Sequence, residues 1–111
     1  MHTHTKRLEQ VAELILRETS AIIRREIDFR EVIVTFSRVQ TSKDLHYADV
    51  YFSVFPDEAA HTVLNEINKK IADIQRLLNK RLRMRPVPKI RFHIDEMERE
   101  AAKINELLKR I

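Results

Sequence analysis

The sequence predicts an α+β fold in which a three-stranded sheet packs on helices, and three observations carry that reading. Apolar residues recur at helical spacing in three long stretches. Three shorter stretches alternate with period two instead. No linker or internal repeat divides the 111 residues, a length that suits one domain with a single two-layer core.

In the first stretch Leu8, Val11, Ala12, Ile15, Thr19, Ile22 and Ile23 follow three- and four-residue steps. This predicts an amphipathic helix from near Thr5 to near Ile27, with Lys6, Arg7, Glu9, Glu13, Arg17 and Arg24 mostly on its other faces. The period then changes. Val32, Val34 and Phe36 alternate with Ile33, Thr35 and Ser37, which reads as a strand over Val32–Val39. Thr41-Ser42-Lys43-Asp44 is a turn cluster whose short polar side chains bond the local backbone. In Tyr47–Phe55, Val50, Phe52 and Val54 share one face, and Asp49, Tyr51 and Ser53 the other. The two strands and their polar turn make an antiparallel hairpin.

Pro56 ends the second strand and places Asp57 as an N-cap, with Glu58 in the first turn. Ala60, Leu64, Ile67, Ile71, Ile74, Leu78 and Leu82 then form a helical stripe reaching almost to Pro86. A straight helix over 57–85 would be roughly 43 Å long, against a radius of gyration of about 13 Å for such a domain. A bend or break is therefore expected around Lys70-Ile71-Ala72-Asp73, with Asp73 capping a second helix. Pro86-Val87-Pro88 forces extended backbone. Ile90, Phe92 and Ile94 alternate with Arg91, His93 and Asp95 as a third strand. Met97, Ala101, Ile104, Leu107, Leu108 and Ile111 mark a closing amphipathic helix. The order is α-β-β-α-α-β-α. It divides into a flexible tail over residues 1–4, a domain over 5–95 and a C-terminal helix over 96–111 packed on that domain.

Composition narrows the chemistry. The 43% apolar and 34% charged residues are those of a folded globular chain. Without cysteine there is no disulfide, thiolate metal site or cysteine nucleophile. Glycine is also absent, where average usage of about 7% would supply roughly eight. That removes the P-loop, the dinucleotide fingerprint and every Gly-rich phosphate cradle. The polar opening MHTHTKRLEQ predicts no secretory leader, no apolar run is long enough for a bilayer, and a cytoplasmic location is expected.

Charge is concentrated. Lys69–Arg91 holds nine cations against Asp73 alone, a local balance of +8 in a chain of net charge +4. Within it, KRLRMRPVPKIR (Lys80–Arg91) has six cations and no acid. Focused positive charge of this kind faces a polyanion, or else forms a solvated helix face that complements the helix dipole. On a helix Lys69, Arg76, Lys80 and Arg83 follow seven-, four- and three-residue steps onto one side, with Lys70, Arg81 and Arg85 nearby. Lys89 and Arg91 extend the charge onto the next strand.

The order without its last helix is that of a type II KH-like domain. Three segments go further. VQTSKDLHYADVYFSVF (Val39–Phe55) resembles the SxDLxxAxVYxS phrase of the bacterial ribosome-binding factor A family. RLLNKRLRMRPVPKIRFHID (Arg76–Asp95) resembles that family's basic helix end, proline turn and third strand. Ala102–Leu108 is similar to its RIxxLL element. One departure stands out: the family's Ala-x-Gly kink between the central helices aligns with Lys70, Ile71 and Ala72. The kink is accordingly expected to be gentler or displaced. The GxxG loop of ordinary KH domains is absent too, which argues against clamping single strands in their manner.

The resemblance implies a non-enzymatic factor for late maturation of the small subunit, assisting 16S rRNA processing near its 5′ end and linked to growth at low temperature. It implies the free 30S subunit and 16S rRNA as partners of a monomer, with no cofactor, small-molecule substrate or membrane. The rRNA-binding candidates are Lys69, Lys70, Arg76, Lys80, Arg81, Arg83, Arg85, Lys89 and Arg91, acting by backbone-tracking phosphate contacts.

Other readings stand beside this one. Tyr47, Tyr51 and His93 either offer rings for base stacking or simply occupy a solvated sheet face. His2 and His4 fall in the expected tail, and His46, His61 and His93 lack the spacing and carboxylate companions of a zinc site. Asp44, His46 and Asp49 make an imaginable acid–base group, without a suitable nucleophile. The competing reading of the whole is a protein-interaction module that meets its partner through Leu107, Leu108 and Ile111, with the basic face only solubilising.

Overall fold

Helix α1 (Thr3–Glu26) buries Ile15, Thr19, Ser20, Ile22 and Ile23, so its three- and four-residue apolar steps become the stripe that meets the sheet. The computed structural model describes residues 3–109. α1 begins two residues earlier than expected: of the anticipated tail, Thr3 and His4 belong to the helix, and Met1 and His2 lie outside the described residues. Its C-terminal end is closed by Lys70, whose Nζ donates to the Glu26 carbonyl at 2.9 Å.

β1 (Ile33–Thr41) and β2 (Tyr47–Phe55) form the expected hairpin. Its register shifts between Phe36 and Arg38, leaving Ser37 as an extra residue. That bulge explains why Phe36 and Val39, three positions apart, pair with the core residues Phe52 and Val50. In the turn Ser42 Oγ donates to Asp44 Oδ1 at 2.7 Å, and the same oxygen accepts the His46 N–H at 3.0 Å. The Ser42 hydrogen bond is the main reason that the Asp44 carboxyl is held below its ordinary range. The turn also needs a left-handed residue, which here is Leu45 at φ 59.

After β2 the chain makes a 3₁₀ turn (Asp57–Ala59) before α2 (Ala60–Lys69). Asp57 does not cap, since neither start has a side-chain cap. Its carboxylate instead accepts a 2.9 Å hydrogen bond from Arg99 Nε. α3 (Ile71–Arg81) follows α2 across a break at Lys70, with φ −107 and ψ 9. This is backbone any L-residue can take, so the break needs no glycine. It falls where expected, but Lys70 is the N-cap and Asp73 sits inside the first turn, paired with Arg76 at 3.6 Å.

α3 ends earlier than the apolar stripe suggests. Leu82 is already extended, yet it remains in the core at 3% exposure. β3 (Lys89–Ile94) then pairs parallel to β2, completing a mixed sheet of order β1-β2-β3. Gln75 fastens α3 to the start of β3: its Nε2 donates to the Pro88 carbonyl and its Oε1 accepts the Ile90 N–H. The core, centred on Phe52, Val50, Ile67, Ile74, Leu78, Ile90 and the α1 isoleucines, lies between the sheet and α1–α3. The arrangement is KH-like, with α4 (Glu96–Lys109) appended.

α4 departs from expectation. It is anchored at its first turn by Asp95, whose Oδ1 accepts the N–H groups of Met97 and Glu98 at 3.1 and 3.3 Å. It does not bury an apolar stripe against the domain: Met97, Ile104, Leu107 and Leu108 are all exposed. The reason is rotational. Arg99, Lys103 and Glu106 line the groove beside the sheet, and they lie on the opposite side of the helix from Met97, Ile104 and Leu108. Ile111 lies outside the described residues.

Candidate nucleic-acid interface

The nine basic candidates do not share one helix face. The break at Lys70 separates Lys69 on α2 from Arg76 and Lys80 on α3. Arg83 and Arg85 lie past the end of α3, in the loop before β3, and Lys89 and Arg91 stand on β3. The expected row of Lys69, Arg76, Lys80 and Arg83 assumed a continuous helix; only its Arg76–Lys80 step survives.

Local bonds separate these residues into two groups. Lys70 caps α1, and Arg81 Nη1 reaches Glu18 Oε1 at 3.2 Å, tying α3 to α1. Arg85 Nη1 folds back on the carbonyls of Leu82 and Met84 at 2.6 and 2.7 Å. Arg76 pairs with Asp73, and Arg91 is held by Asp49. By contrast Lys69, Lys80, Arg83 and Lys89 are exposed, and no hydrogen bond or ion pair engages their side chains among the described residues. Those four present charge that no local carboxylate offsets.

A second polar surface, built of paired charges and rings, lies on the sheet face that α1–α3 leave open. The parallel register sets Asp49 beside Arg91 and Tyr51 beside His93. Arg91 donates to both Asp49 oxygens, Nε at 2.8 Å and Nη2 at 3.1 Å, while His93 Nε2 lies 2.8 Å from Asp49 Oδ1. Burial raises the Asp49 pKa, but the hydrogen bonds from Arg91 and His93 outweigh it and hold the carboxyl below its ordinary range. The same bond raises the Arg91 pKa. Tyr51 stacks on His93 with centroids 5.1 Å apart, and the Arg38 guanidinium covers its ring at 3.7 Å. Arg91 covers Tyr47 at 4.2 Å.

The sheet face is thus a ladder running Arg38, Tyr51, His93, Asp49, Arg91 and Tyr47. Tyr51 is already sandwiched between Arg38 and His93, so the expected stacking candidates come together but offer a base guanidinium planes more than open rings. Arg38 was missed by sequence reasoning. Its one available signal was position on the strand opposite Tyr51, hidden by the bulge at Ser37.

Arg38 also joins this ladder to α4. Its Nε lies 3.4 Å from Oδ2 of Asp95, which is 2% exposed and accepts the Ser37 hydroxyl at 2.6 Å. Burial raises the Asp95 pKa, but Ser37, the Glu98 and Met97 N–H groups and Arg38 together keep it lowered.

The remaining candidates do not assemble. Asp44 pairs with His46 inside the turn at 3.1 Å, whereas Asp49 is engaged by Arg91 and His93, and no bond among the described residues links the two sites. Among the described residues no three His, Asp or Glu side chains are placed to hold a metal ion, and no helix is long and apolar enough to cross a membrane.

Comparison with known proteins gives a consistent answer. Residues 7–108 match the family model for Ribosome-binding factor A. Ribosome-binding factor A of Halothermothrix orenii is 34% identical over 108 residues, covering 96% of this chain and 88% of its own. The crystal structure of ribosome-binding factor A from Thermus thermophilus superposes with a TM-score of 0.69 at 24% identity, over 78% of this chain and 94% of that one, a likeness of fold. A homology model of the Thermus thermophilus ribosome binding factor A, as fitted into a cryo-electron microscopy map of its complex with 30S, is similar too, with a TM-score of 0.61 and 26% identity, over 74% and 88% of the two chains. With a family match over nearly its whole described length and a relative above 30% identity, the chain belongs to the ribosome-binding factor A family.

Proposed function

We propose that this chain binds the free small ribosomal subunit and assists late maturation of its 16S rRNA, by electrostatic docking on folded rRNA. The family is one of ribosome-binding factors, not enzymes. The observation that carries the reading is the similar Thermus thermophilus protein fitted into a map of its 30S complex. Lys69, Lys80, Arg83 and Lys89, exposed and unpaired among the described residues, support it, since each can replace counterions on a phosphate without first breaking a local bond. Lys70, Arg76, Arg81, Arg85 and Arg91 add positive potential around them while also holding the fold. Assistance to 5′-end processing, a role in growth at low temperature, action as a monomer and a cytoplasmic location complete the proposal.

Co-sedimentation with purified small subunits across a salt series tests it. Association is expected to weaken steeply with salt, and Lys69, Lys80, Arg83 and Lys89 changed together to Glu are expected to abolish it without unfolding the chain. Retention of the quadruple variant at unchanged salt dependence would overturn the docking mechanism. A second reading, docking on a protein through α4, is favoured by the exposed Met97, Ile104, Leu107 and Leu108. It requires salt-tolerant association that is lost when Leu107 and Leu108 become polar.

A further inference from the structure

A groove of about 490 Å³ lies between α4 and the end of the β1–β2 hairpin, and no residue of the basic 69–91 segment lines it. Its floor includes the cross-strand pair Ile33 and Phe55, 66% and 72% exposed, together with Ile94. Side chains of that size left open on adjacent strands are an apolar anchor point. The charged lining is mainly acidic. Asp57, Glu58, Asp95, Glu98 and Glu106 line the groove against only Arg99 and Lys103. Asp57 is engaged by Arg99, and Asp95 by Ser37, Arg38 and the α4 backbone. Glu58 and Glu98 are exposed and carry no side-chain bond among the described residues. The groove therefore combines an uncovered apolar floor with carboxylates on both walls, opposite in charge to the 69–91 surface.

We infer that this groove binds an extended segment of a partner protein in which basic and apolar residues alternate. Period-two alternation sets apolar side chains on Ile33 and Phe55 while the intervening Lys or Arg side chains reach the walls at Glu58 and Glu98. Nucleic acid fits poorly, because the walls repel phosphate. A second copy fits poorly as well. Groove against groove sets like charges together, and its 69–91 segment entering this groove would make a head-to-tail contact instead of the self-complementary one of a twofold dimer. The inference does not depend on the rRNA reading, because it uses none of the same residues.

The test uses the full chain and a short fluorescein-labelled peptide alternating lysine and valine, with a glutamate–valine peptide as control. The lysine peptide is expected to bind by fluorescence anisotropy and to shift the amide resonances of Ile33, Phe55 and Lys103. The exposed substitution Phe55→Ser, and Glu58→Lys combined with Glu98→Lys, are each expected to weaken it about tenfold. Small-subunit association through the 69–91 surface should be unchanged in both variants, so the two readings fail separately. The inference is overturned if the resonances that shift lie elsewhere, if the variants bind as well as the parent, or if the glutamate peptide binds equally. It is also overturned if sedimentation shows a dimer that the Glu58→Lys, Glu98→Lys variant dissolves, which would make a second copy the occupant.

Discussion

Asp49 and Arg91 face each other across the parallel β2–β3 pair and share two hydrogen bonds, of 2.8 and 3.1 Å. The pair holds the guanidinium over Tyr47 but also offsets its charge. The Asp49→Asn substitution is therefore expected to strengthen association with small subunits and to steepen its salt dependence by up to about one unit of log–log slope. Sedimentation at several salt concentrations reads this directly. An unchanged slope would place the open sheet face outside the interface.

Lys80 and Arg81 are sequence neighbours with different work. Lys80 is exposed without a partner among the described residues, whereas Arg81 bonds Glu18 on α1. Lys80→Ala is expected to reduce the salt slope by about one while leaving the urea midpoint unchanged. Arg81→Ala is expected to lower the midpoint, because it also removes packing of a partly buried side chain between two helices.

Asp95 should dominate the response to acid. Its folded pKa, like that of Asp49, is lowered, so each carboxylate stabilises the fold above its unfolded value of about 3.9. That contribution is lost as pH falls through the lower folded values. Urea midpoints are expected to hold steady near neutrality and to drop below about pH 4. Asp95→Asn should flatten that drop and cost about 2 kcal/mol at neutral pH, since it weakens the bonds to Ser37 and to the first turn of α4. Hydrogen exchange should quicken at Met97 and Glu98 in the same variant.

Thr19 is fully buried, and its Oγ1 has no hydrogen-bond partner among the described residues. A buried hydroxyl left unpaired is a net cost, so Thr19→Val is expected to stabilise the chain by about 1 kcal/mol. Equilibrium urea unfolding checks it. Destabilisation would mean that the hydroxyl is satisfied in solution.

Restoring the family's glycine should not help. Ala72 lies in the first turn of α3, and the break at Lys70 uses backbone open to any residue. Ala72→Gly is expected to cost up to about 1 kcal/mol through helix propensity, with no gain in geometry. A stabilised variant would show that the break is strained.

How much of this was legible varied with the kind of information required. β2 was bounded correctly at Tyr47–Phe55 because strict alternation leaves only one register with Val50, Phe52 and Val54 inside. That the long stripe breaks followed from length; its place near Lys70 was read from Asp73 as a cap, and the place holds although Lys70 takes the cap position. The early end of α3 did not, because Leu82 keeps the helical apolar spacing while reaching the core from extended backbone. The ladder from Arg38 to Tyr47 depends on a parallel pairing between strands separated by two helices, and on a one-residue bulge, neither of which leaves a local signal. The rotation of α4 was hidden for a different reason: an amphipathic pattern gives the stripe, not what covers it.

The left-handed turns at Glu31 and Leu45, φ 61 and 59, bear on the unfolded chain as much as on the native one. Each costs the native state about 1–2 kcal/mol that glycine would have avoided. Yet a glycine at either site would widen the denatured ensemble, and the 111 residues contain none. Strain accepted at two bends is thus set against a chain with unusually little freedom to lose on folding. Its resistance to unfolding rests partly on a poor denatured state, which no native contact reveals.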